Sequence, residues 1–183
     1  MTTLIFEGLD GAGKSTLINS FSEKSGTPIL PKMGKLMSDS DAKIAVKGMQ
    51  VSDIRMFYME HSWQNMKELS IRKDPFLMDR WIAGMLATHV LRGGKMLEGT
   101  LQKYDWSPLR KFDCIFVRAS QKVRTERMLK RGELSLTDSA SLSNETEDIH
   151  MSMCQRFYKR VILLDTSDLN PAECLDELER ILS

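Results

Sequence analysis

The 183-residue chain has no apolar run long enough to cross a bilayer, which excludes a helical channel or transporter. It is short of cysteine. Cys114, Cys154 and Cys174 fall into no CxxC or Cys/His spacing, which excludes a disulfide scaffold and a zinc module and predicts reduced thiols in a cytoplasmic protein. It has no excess of charge of either sign. Lys and Arg number 26 against 25 Asp and Glu, so no stable nucleic-acid partner is expected, although a local basic patch remains compatible with the balance. The first residues, MTTLIFEG, run straight into strand-like sequence with no leader pattern. No repeat, linker or compositional break divides the chain, so a single domain over 1–183 is expected.

Hydrophobic residues make up 42% of the chain, enough for one full core. Its thirteen methionines suit an adaptable one. Short apolar runs at Thr3–Phe6, Thr27–Lys32, Pro75–Met78, Asp113–Val117 and Val161–Leu164 read as strands. Helical spacing recurs over 14–24, 39–48, 53–70, 82–92, 121–131, 145–158 and 171–182, while 95–111 has no clear reading beyond a helix and a loop. The serine-rich ELSLTDSASLSN, 133–144, reads as a mobile loop. Buried strands alternating with helices predict a parallel sheet covered on both faces.

The densest chemistry is FEGLDGAGKST, residues 6–16, with three glycines, a lysine and two hydroxyls. Gly8 to Ser15 fits Gly, four residues, Gly-Lys-Ser, between an apolar strand and a helix. A polyphosphate must be met by several backbone N–H groups at once, and Gly8, Gly11 and Gly13 leave room for that approach and allow positive φ. The loop Gly8, Gly11, Ala12, Gly13, Lys14, Ser15, Thr16 is therefore the candidate nucleotide cradle. The helix start adds free amides, Lys14 reaches the β/γ-phosphates, and Ser15 can ligate Mg²⁺.

Such a loop serves GTPases, motor ATPases and kinases alike. No Asn-Lys-x-Asp stands near the fourth or fifth strand, which argues against a guanine-reading GTPase. No apolar strand ends in Asp-Glu, which argues against a water-activating ATPase. The third strand ends instead in Asp79-Arg80-Trp81. At the C-terminal edge of a parallel sheet, Asp79 can hold Mg²⁺ and Arg80 can grip an acceptor phosphate; the pair can also be a plain surface ion pair. On the helix 121–131, Arg124, Arg127 and Arg131 share one face. Arg127 and Arg131 adjoin the mobile loop and are the candidates for neutralising charge on a phosphoryl group in flight.

With these residues in view, the chain resembles the thymidylate kinase family of nucleoside monophosphate kinases. FEGLDGAGKST is close to that family's phosphate loop, LMDRW to its Asp-Arg-Tyr element, RMLKRGEL to the start of its lid, and RVILLDTSDLNPAECLDELERIL to its last strand and helix. The resemblance is weakest over 33–52 and 93–110. It implies a P-loop NTPase-type α/β fold: a five-stranded parallel sheet in the order 2-3-1-4-5, wrapped by helices on both faces, with a lid near 131–144 and usually a homodimer. It places Asp10 near the acceptor sugar and metal, Phe57 as the aromatic stacking on a pyrimidine, and Arg80 on the acceptor phosphate. It sets Pro31-Lys32 where the family has Pro-Arg. Besides Lys32, three positions depart from the pattern: His61 stands where arginine is common, Trp81 replaces a tyrosine, and Thr88 sits where a tyrosine often screens out ribose. Phe57 and Trp81 read equally as core residues.

The expectation is thus an ATP- and Mg²⁺-dependent kinase acting on a nucleoside monophosphate, with thymidylate or a modified pyrimidine analogue as the first acceptor. A deoxynucleoside kinase acting on a 5′-hydroxyl is the enzymatic alternative; it wants a carboxylate base near strand two, where the chain has only Leu30-Pro31-Lys32. A non-catalytic ATP-binding module is the other. The loop Thr166-Ser167 is placed near the adenine.

Overall fold

The structure, a computed structural model, describes residues 3–31, 51–91, 99, 101–132 and 143–183. The helix expected over 39–48, Lys32 and most of the serine-rich segment lie outside the described residues.

Strands β1 (Leu4–Glu7), β2 (Ile29–Leu30), β3 (Leu77–Asp79), β4 (Asp113–Arg118) and β5 (Arg160–Asp165) form one sheet in the order β2-β3-β1-β4-β5. Every neighbouring pair is parallel; Ile5 stands opposite Met78 on one side and Cys114 on the other. The central strands are near-continuous apolar runs because both faces of the sheet are covered. Their residues alternate between two cores. Ile5, Met78, Cys114 and Phe116 join one apolar cluster, and Leu4, Phe6, Leu77, Ile115 and Val117 the other. Strand β2 is shorter than the run 27–32 suggests: Pro28 has no N–H for the ladder and instead accepts from Leu77 N–H (2.9 Å), and Pro31 ends it.

The helices are α1 (Lys14–Ser25), α2 (Val51–Ser70), α3 (Ile82–Leu91), α4 (Gln121–Lys130), α5 (Asn144–Phe157) and α6 (Pro171–Leu182). A short 3₁₀ turn at Ser107–Lys111 leads into β4. Side chains close three of the helix starts. Ser120 Oγ accepts from Val123 N–H, Ser143 Oγ from Thr146 N–H, and Asn170 with Glu173 makes a capping box. Helix α1 differs: its N-cap is Gly13, and no side chain caps it. The amides of its first turn are left for another acceptor.

Candidate active site

The segment Gly8–Gly13 joins β1 to α1 at the C-terminal edge of the sheet, where open parallel sheets bind ligands. Gly8, Gly11 and Gly13 all have positive φ, at 134°, 78° and 92°. Two of them serve a purpose the sequence does not display. A Cβ on Gly8 would lie 2.0 Å from the Val117 carbonyl oxygen of β4, and one on Gly11 would lie 2.7 Å from the Arg124 carbonyl oxygen of α4. Those glycines let the loop lie against neighbouring backbone. Gly13 faces side chains instead, with Arg127 Nη1 at 3.6 Å and Thr166 Oγ1 at 3.8 Å from its notional Cβ.

Lys14 is buried at 6% exposure, and its Nζ donates to the Leu9 carbonyl within the loop (2.6 Å). Burial and then the charge of Arg80 push its pKa down to about 7, against opposing pulls from Asp10, Asp79 and Glu7. An unfolded lysine titrates near 10.5. Between about pH 7 and 10.5 the unfolded chain therefore carries a proton that the native loop lacks, and stability gains from this group as pH rises through that window. A bound polyphosphate favours the ammonium form. Binding of an ATP analogue at pH 8 is accordingly expected to take up a proton, seen as a dependence of calorimetric heat on buffer ionisation enthalpy. Lys14→Ala should remove that dependence, and a wild type without it would contradict the lowered pKa.

Ser15 Oγ donates to Asp79 Oδ2 (2.9 Å), so the loop hydroxyl and the carboxylate at the end of β3 meet across the loop. Two hard oxygen donors side by side fit Mg²⁺ held mainly by phosphate and water. Among the described residues no group of three or more His, Cys, Asp or Glu could hold a metal ion.

Arg80 follows Asp79 with φ 66°, and its guanidinium pairs with the Asp10 carboxylate of the loop. Both side chains are part-exposed, at 35% and 47%. The expected acceptor-side arginine thus sits in the grip of an anion. Trp81 turns the other way: it is 5% exposed and packs in the core against Phe112, ring centroids 5.5 Å apart. Pro31 is exposed after β2. Phe57 and His61 lie one turn apart on α2 with ring centroids 4.4 Å apart, and His61 Nδ1 is 3.2 Å from the Phe57 carbonyl. Thr88 lies on α3, with its side chain outside the described set.

The three arginines of α4 divide. Arg124 is fully buried, with Glu147 of α5 3.9 Å away. Arg127 is half-buried and bridges to the loop, donating to the Gly11 carbonyl (3.3 Å), Thr166 Oγ1 (3.0 Å) and the Thr166 carbonyl (2.8 Å). Arg131 caps the end of α4 and is exposed. Arg127 and Arg131 line a cleft of about 240 Å³ with Gly13, Thr16, Leu17 and Thr166. Thr166 also donates from Oγ1 to the Ala12 carbonyl (2.8 Å), so the β5–α6 loop is knitted to the glycine-rich loop. The sequence reading set Thr166 near an adenine and gave it no part in this bridge.

Deoxyadenosine kinase from M. mycoides, solved with bound dATP, superposes with a TM-score of 0.69 at 17% identity, covering 99% of both chains. The same enzyme with product dCMP and a flexible dCDP gives 0.69 at 15%, covering 99% of this chain and 98% of that one. The fold is the P-loop NTPase fold. Thymidylate kinase from Candida albicans shares it too, with a TM-score of 0.68 at 14% identity over 99% of this chain and 90% of that chain. So does the YorR protein from Bacillus subtilis, solved with phosphorylated GDP, at 0.61 and 16% over 99% and 95%. No family profile matches the sequence, and no curated protein does. In this fold Gly8–Thr16 runs from the end of β1 into α1, and no helix among the described residues is long and apolar enough to cross a membrane.

Proposed function

We propose that the chain is a kinase that transfers the γ-phosphoryl group of Mg-ATP to a deoxynucleoside 5′-monophosphate, with a pyrimidine nucleotide as the first candidate. The observation that carries this reading is the Arg80–Asp10 pair beside the phosphate loop. A guanidinium already engaged by a carboxylate is suited to exchange it for the phosphate of an acceptor. Lys14 and the uncapped amides of α1 hold the donor phosphates. Ser15 and Asp79 are the residues that would hold Mg²⁺, which supplies charge neutralisation at the phosphates when bound. Arg127 and Arg131 face the cleft beside Gly13 and can neutralise charge on the transferring group. An acceptor phosphate oxygen is already anionic, so positioning rather than a strong general base does most of the work.

A 5′-hydroxyl acceptor is the second reading, favoured by the likeness to deoxyadenosine kinase and by one feature of the loop. Asp10 places a carboxylate beside Arg80, which answers the lack of one after β2. A panel of nucleosides and nucleoside monophosphates with Mg-ATP, read by ADP release, separates the two. Turnover of monophosphates supports the first reading, turnover of nucleosides alone supports the second, and ATP binding with neither supports a non-catalytic module. Arg80→Ala is expected to lower kcat/KM for the acceptor by about 10²-fold while the Kd for an ATP analogue changes less than about threefold. Equal losses on both sides would remove Arg80 from the acceptor site.

A further inference from the structure

The last residue of β1 is Glu7, a carboxylate with 0% exposure at the end of an otherwise apolar strand. Its oxygens are fully engaged from three places. Oε1 accepts from the Trp81 backbone N–H (2.9 Å) and from the Tyr158 hydroxyl just after α5 (2.9 Å). Oε2 lies 3.0 Å from His150 Nε2 on α5. The preceding residue holds the same turn, because the Phe6 carbonyl accepts from Arg80 N–H (2.8 Å). Consecutive amides, at Arg80 and Trp81, are thus tied to consecutive residues of β1. One acceptor is backbone and the other is the Glu7 side chain. Between these ties Arg80 sits at φ 66°.

We propose that Glu7 is a positioning residue for Arg80: its carboxylate clamps the Asp79–Arg80–Trp81 turn and so sets where the guanidinium meets an acceptor anion. The proposal rests on the phosphotransfer reading above. The surroundings are built around this carboxylate. Gly84, in the first turn of α3, leaves space for it: a Cβ there would stand 3.2 Å from His150 Cε1 and Nε2 and 3.3 Å from Glu7 Oε2. Burial pushes the Glu7 carboxyl up, but the His150 contact, the Trp81 amide and the Tyr158 hydroxyl together outweigh it and hold the group below its ordinary value. An ionised carboxylate is the stronger acceptor for the turn's amide. Packing alone would be served by an apolar side chain, since replacing buried charge by a hydrophobe of similar volume is often neutral.

The test is a double-mutant cycle in the full chain. Glu7→Ala is expected to lower acceptor kcat/KM by about 10–100-fold with ATP-analogue affinity within about threefold of wild type. In an Arg80→Ala background the same change should cost less than about threefold, because a positioning residue has nothing left to position. Glu7→Gln, which keeps an oxygen for the Trp81 amide, should retain at least about a third of the activity. Additive losses in the cycle, or a Gln variant as damaged as the Ala variant, overturn the proposal. Should Glu7→Ala fail to fold, Gly84→Ala crowds the same carboxylate and enters the cycle in its place, with the same contrast between backgrounds expected. Backbone hydrogen exchange supplies a readout independent of turnover: the Trp81 amide should exchange at least about tenfold faster in Glu7→Ala, or in Gly84→Ala if that variant stands in, and stay protected in Glu7→Gln. Unchanged protection in the perturbing variant overturns the clamp. If the nucleotide panel shows no kinase activity while exchange behaves as expected, the clamp stands and the phosphotransfer reading fails.

Discussion

Lys14→Ala is expected to reduce turnover by about 10³-fold or more while the chain remains folded. Lys14 is the one loop side chain with a cation at the start of α1, and it reaches the position from inside, its Nζ held by the Leu9 carbonyl. Its removal takes away charge stabilisation that no neighbour can replace. Arg80 stands on the acceptor side beside Asp10, and Arg127 reaches the loop from α4 against Gly11 and Thr166, so neither takes the place of the Lys14 ammonium inside the loop. The fold does not depend on the ammonium, since burial disfavours its charged form. ADP release against acceptor, with circular dichroism to verify folding, checks the outcome. Turnover within about tenfold of wild type in a folded variant would dismiss the phosphate-loop mechanism.

Gly8→Ala is the second large effect, and it falls on stability. The added methyl would stand 2.0 Å from the Val117 carbonyl oxygen and 3.0 Å from its carbon, and the residue sits at φ 134°. The atoms in the way are the backbone of a central strand, fully buried, so neither side can yield as a flexible side chain would. The expected loss is about 3 kcal/mol or more, combining overpacking with an unfavourable backbone conformation. Gly26→Ala is the comparison: φ is 70° there, but nothing lies within 4 Å of the added Cβ. It should cost only about 1–2 kcal/mol. Urea midpoints for the two variants decide the matter. If Gly8→Ala is no more costly than Gly26→Ala, the close approach of β1 to β4 is not what demands glycine at position 8.

The sheet was legible because its signals are local. Each strand is a short apolar run closed by a turn, and the observed order matches the one the family resemblance implies. Helices α1, α4 and α6 begin and end within about two residues of where their caps and spacing put them, as expected of boundaries set by hydrogen bonds at the ends. The site was legible in part. The meeting of Ser15 with Asp79 follows from two motifs at the same sheet edge. The separate fates of Arg124, Arg127 and Arg131 do not follow from their spacing, because one helical face can look partly into the core and partly onto a loop. The buried Arg124 meets Glu147 of α5, distant in sequence. Glu7 went unnoticed for a related reason. Its donors come from positions 81, 150 and 158, and one charge closing an apolar strand is the only mark it leaves in the sequence.

The left-handed backbone at Arg80 has a consequence for how this chain can change. A side-chain-bearing residue held in that conformation sacrifices on the order of 1–2 kcal/mol that glycine would not. Random drift toward a sturdier protein would favour glycine at this point, and only a demand for the guanidinium itself opposes it. On the proposed reading, position 80 is where robustness and chemistry pull in opposite directions, and a descendant without that reaction would be free to relax there first.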